Sequence, residues 1–75
     1  MKLSELQSKS IITQDGRLMG RIIDVIIKEN GNIESIIVEK SKFIISLFSN
    51  KNELEIKFNE ILKIGDDVIL VNIKE

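Results

Sequence analysis

Cysteine and histidine are both absent from the 75 residues, and each absence removes a class of chemistry. Without cysteine there are no disulfides and no thiolate metal site. Without histidine the commonest general base and metal ligand is gone. Proline, tryptophan and tyrosine are missing too, which leaves three phenylalanines as the only aromatic residues. So few rings make a poor stacking platform for nucleic acid. Neither sign of charge prevails: 11 basic and 12 acidic residues give a formal net charge of −1. They are interspersed rather than gathered into the basic stripe of a nucleic-acid binder. Apolar runs break every few residues, far short of the roughly 20 that a membrane-spanning helix needs. Residues 1–6 lack the apolar stretch of a secretory leader. The expectation is a cytoplasmic protein, with no nucleic-acid partner, no membrane partner and no cofactor.

A chain of 75 residues makes a single domain, 1–75. A domain this small removes only about 60% of its unfolded surface on folding. What the chain does contain is isoleucine and valine, and these organise residues 15–39. Two apolar runs, 20–28 and 33–39, flank the polar stretch Glu29, Asn30, Gly31 and Asn32. β-branched side chains fit a pleated surface, and Asn-Gly between two such runs signals a hairpin turn. Both arms are too apolar for a ribbon with one wet face, so more strand or a second copy of the molecule must cover them.

The remaining segments supply further strands. Ser4–Gln7 suits one helical turn with Ser4 as its cap, and residues 10–13 read as a strand that ends in the turn Asp15-Gly16. Gly20 marks a bulge or a close backbone approach. Strict alternation would set Asp24 among apolar residues, and a bulge near it moves Ile22, Val25 and Ile27 to the core side instead. Residues 53–58 alternate cleanly, with Leu54, Ile56 and Phe58 inward. Asn59 and Glu60 open a turn, Ile61, Leu62 and Ile64 continue the core, Gly65 and Asp66 form a turn, and residues 68–73 close the chain. Five or six short strands at roughly ten-residue spacing predict an all-β barrel with at most one short helical turn.

Each candidate site has a competing structural explanation. Asp15, Asp66 and Asp67 sit in turns, where aspartate commonly bonds its own backbone. Asp24 reads as a buried, hydrogen-bonded carboxylate, because no partner base or nucleophile is visible. Gly16 and Gly20 lack the spacing of a phosphate loop, and no helix follows them to hold an anion. Lys9, Arg17 and Arg21 read as a solvated polar face offset by Asp15 and Asp24. The sharpest candidate is the cluster Phe43, Ile44, Ile45, Leu47 and Phe48. Two readings stand side by side for it: a cap over its own barrel and a contact surface for another protein.

These segments together resemble a PRC-barrel domain. The phrases that carry the resemblance are residues 2–7, 15–25 with Asp15, Gly16, Gly20 and Asp24, then Gly31 to Ile33 with residues 36–38, residues 56–61, and 64–71 with Gly65 and Asp66. The chain is most similar to the short YlmC/YmxH-type sporulation-associated proteins. The resemblance implies a six-stranded, Greek-key-like barrel used for protein contacts, with no family-wide catalytic residues. It departs from the family in having Lys57-Phe58 where a proline–aromatic pair is common, and in the bulkier middle segment. Two other roles come with the family: ribosome assembly or RNA processing, as for the PRC-barrel of the ribosome maturation factor RimM, and archaeal cell division. The combined expectation is a non-enzymatic, sporulation-associated interaction module with a protein partner, acting as a homodimer because its apolar side chains exceed what one small barrel can hold.

Overall fold

The computed structural model describes residues 1–41 and 52–73. Helix α1 spans Leu3–Ser8, and six strands follow: β1 Ser10–Thr13, β2 Leu18–Ile27, β3 Ile33–Lys40, β4 Glu53–Lys57, β5 Ile61–Ile64 and β6 Val68–Val71. A single 3-10 turn, Phe58–Glu60, joins β4 to β5. The strands form one sheet in the order β4-β3-β2-β1-β6-β5. All ladders are antiparallel except β1 with β6, which is parallel.

Chain continuity forces this sheet to curl. Laid flat, six strands at about 4.8 Å spacing would hold the two outer strands about 24 Å apart. Yet β4 and β5 are those outer strands, and only the three residues of the 3-10 turn separate them, a rise of about 6 Å. The sheet therefore wraps toward a barrel, as the sequence predicts. It is not sealed: among the described residues no ladder joins β4 to β5.

The wrapped face holds Ile11, Met19, Ile22, Ile36, Val38, Ile56, Ile69 and Val71, none more than 3% exposed. Leu6 of α1, Val25, Ile33, Leu54, Ile61 and Ile73 pack around this core. α1 lies against β2, and Lys2 rather than Ser4 occupies its N-cap position, without a side-chain bond.

The expected bulge near Asp24 is present. Ile22 pairs with Val38 and Asp24 with Ile37, so Ile23 is the extra residue. Beyond it the phase differs from expectation at one point. A second shift lies between Ile26 and Ile27, with Glu34 of β3 as the extra residue, and Ile27, the last residue of β2, is 63% exposed and not in the core. Phe58 is likewise not inward. β4 ends at Lys57, whose N–H donates to Glu60 Oε1 at 3.0 Å, and the turn that follows leaves the ring 47% exposed. Leu62 and Ile64 are also exposed, since β5 has a neighbour on one side only and a register shift at Leu62.

Candidate functional site

Asp15 serves its own turn. At the β1–β2 connection, Gly16 takes φ +88°, a backbone region that suits glycine. Thr13 and Arg17 close the turn through Thr13 N–H to the Arg17 carbonyl at 2.9 Å and Arg17 N–H to Thr13 Oγ1 at 3.0 Å. The Thr13 hydroxyl donates to Asp15 Oδ1, and Arg17 Nε lies 3.3 Å from Asp15 Oδ2. The Thr13 hydrogen bond and, less strongly, the Arg17 charge hold the Asp15 carboxyl below its ordinary value. This cluster locks a turn and presents no free base.

Asp24 is exposed, not buried as the sequence suggests, and its Oδ1 accepts from the Val25 N–H at 2.8 Å. The bulge at Ile23 carries the carboxylate to the outer face, where it bonds the backbone of the next residue. Gly31 sits at φ +92° in the tip of the β2–β3 hairpin. There its N–H donates to the Lys28 carbonyl at 2.9 Å, and Asn32 N–H donates to Asn30 Oδ1 at 3.0 Å. Gly20 is in close approach: a Cβ on it would lie 1.9 Å from the Glu39 carbonyl oxygen.

Lys9 is the residue that sequence reasoning misplaced. It joins no basic face with Arg17 and Arg21. It is buried, and its ammonium donates to the carbonyls of Gly65 at 2.5 Å and Asp66 at 2.7 Å. The Gly65-Asp66 turn is thus held from the far end of the chain, and Ser10 N–H adds a bond to the Asp67 carbonyl at 3.1 Å. No local pattern marks a buried lysine, because lysine is ordinarily a surface residue.

What the described surface offers is edges and apolar patches. Two adjoining hollows of about 280 and 410 Å³ share Lys28, Ile33 and Phe58. On the outer face of the sheet, Glu55 Oε2 accepts from the buried Ser35 hydroxyl at 2.7 Å. Among the described residues no three acidic side chains converge to hold a metal ion, and no helix is long and apolar enough to cross a membrane. The cluster Phe43, Ile44, Ile45, Leu47 and Phe48 lies outside the described residues.

Comparison with known proteins adds what geometry alone does not. The family model for the PRC-barrel domain matches residues 1–75. The chain is 35% identical over 77 aligned positions to a Bacillus subtilis (strain 168) protein described as "Probable sporulation protein YlmC", covering 100% of this chain and 95% of that relative.

Proposed function

The chain belongs to the PRC-barrel family, and on that premise we propose that it is a sporulation-associated, non-enzymatic protein-interaction module of the cytoplasm that works as a homodimer. The observation that carries this reading is 35% identity, over nearly the full length of both chains, with a relative whose description names sporulation. The surface is in keeping with it. Phe58, Ile27, Leu62 and Ile64 are large apolar side chains left exposed on a 75-residue chain, and scarce aromatics and balanced charge favour a protein partner over nucleic acid.

The test is affinity capture with the tagged chain from Bacillus subtilis cells, vegetative and sporulating, beside a Phe48→Asp variant. A protein held only in the sporulating sample and lost from the variant supports the reading. Equal recovery from both cell states contradicts the sporulation role. RNA retention that falls steeply with salt would contradict the choice of partner.

A further inference from the structure

Asn30 is the one asparagine of the chain that is followed by glycine. The pair lies exposed at the tip of the β2–β3 hairpin, with Gly31 at φ +92°. An asparagine side-chain amide can be attacked by the backbone nitrogen of the next residue, closing a five-membered ring. The attack needs that nitrogen unhindered, and glycine, having no Cβ, hinders it least. The other asparagines precede isoleucine, lysine or glutamate, whose side chains crowd the approach.

We propose that Asn30 is a site of backbone-assisted deamidation, gated by the turn to which it belongs, with water as the only co-reactant. The Gly31 nitrogen gives its proton to solvent and attacks Asn30 Cγ. The new N–Cγ bond forms, the bond from Cγ to the side-chain nitrogen breaks, and that nitrogen leaves as ammonia with a proton from water. A succinimide ring remains, and water opens it on either side. Cleavage of N–Cγ leaves aspartate. Cleavage between the same nitrogen and the main-chain carbonyl carbon of Asn30 leaves isoaspartate. Nothing is oxidised or reduced.

Two hydrogen bonds of the folded turn oppose the first step. The Gly31 N–H donates to the Lys28 carbonyl at 2.9 Å, and Asn30 Oδ1 accepts from the Asn32 N–H at 3.0 Å. One bond retains the proton that the nitrogen must lose, and the other holds the side chain that the nitrogen must reach. Asp15-Gly16 has the same exposure, but an ionised carboxylate is a poor electrophile, and Thr13 and Arg17 both engage it. The product bears on the sheet. Aspartate adds a negative charge beside Glu29. Isoaspartate adds a carbon to the main chain inside the loop that the Lys28 N–H closes on the Asn32 carbonyl at 2.7 Å. That loop rims the hollow of about 410 Å³ between Gly31 and Phe58. The reaction is one-way, so each chain keeps a record of the time its turn has spent open.

Peptide mapping by mass spectrometry tests this on wild type held in one mildly alkaline buffer, folded and in urea. Aspartate and isoaspartate are expected at residue 30 in both samples. The folded sample should react more slowly by about tenfold or more, as two hydrogen bonds that must first open allow. Asn30→Gln, whose longer side chain disfavours the ring, should stay unmodified while circular dichroism shows it folded. The isoaspartate form, separated by ion exchange, should unfold at a lower urea midpoint than the unmodified chain. An unmodified Asn30 in urea, or faster reaction at another asparagine or at Asp15, overturns the site. Equal rates in the folded and urea samples overturn the gate, and equal urea midpoints overturn the effect on the sheet.

Discussion

Gly20 and Glu39 approach so closely across the β2–β3 ladder that a methyl group on Gly20 would lie 1.9 Å from the Glu39 carbonyl oxygen. Gly20 also has φ +148°, and the residue before it, Met19, is the extra residue of a bulge against β1. The approach thus fixes how three adjacent strands meet. Gly20→Ala is expected to cost about 3 kcal/mol or more, as overpacking and backbone strain combine. Gly16→Ala meets no atom within 4 Å and keeps only the cost of φ +88°, about 1–2 kcal/mol. Urea unfolding of the two variants checks the order.

Lys9 ties the start of the sheet to the Gly65-Asp66 turn. Lys9→Met preserves most of the buried stem and removes both hydrogen bonds, with an expected loss of about 2 kcal/mol. Hydrogen exchange should show the added opening at residues 65–67 first. Unchanged protection there would mean that the ammonium contributes nothing to the turn.

Two isoleucines of the β2–β3 hairpin lie in opposite environments. Ile36→Ala empties a core position that is 2% exposed and is expected to cost about 3 kcal/mol. Ile27→Ala should stay within about 0.5 kcal/mol, as for other exposed sites. Equal losses at the two positions would show that Ile27 is in the core after all.

Asp15 makes stability depend on pH. Its folded pKa is lowered from 3.8, so the ionised form stabilises the fold above the unfolded value. That contribution is lost as pH falls through the folded pKa. The site is exposed, so solvent screens it and the effect is small. The urea midpoint of wild type should exceed that of Asp15→Asn at pH 7, and the gap should close at about pH 2, below the ordinary carboxylate range. A gap that persists in acid would place the effect elsewhere than in the charge.

Much of this fold was legible because local chemistry agreed with it. Asn30-Gly31 and Asp15-Gly16 mark their turns, and the misplaced Asp24 announces the bulge at Ile23. The failures come where distant parts of the chain decide. Alternation continues through Phe58 in the sequence, but the chain must turn at Lys57 to bring β5 to the opposite edge. Ile27 looks like the other isoleucines but ends β2, where its side chain is left exposed. Lys9 is an ordinary lysine until residues 65–66 fold over it. On the functional side, the sequence points to Phe43–Phe48, which lies outside the described residues.

Light scattering of the wild-type chain at micromolar concentration tests the central claim most directly, namely that the surface this small sheet leaves uncovered is used to meet another copy. A mass twice the 8.6 kDa of one chain is the predicted result. A single-chain mass across that range would contradict it.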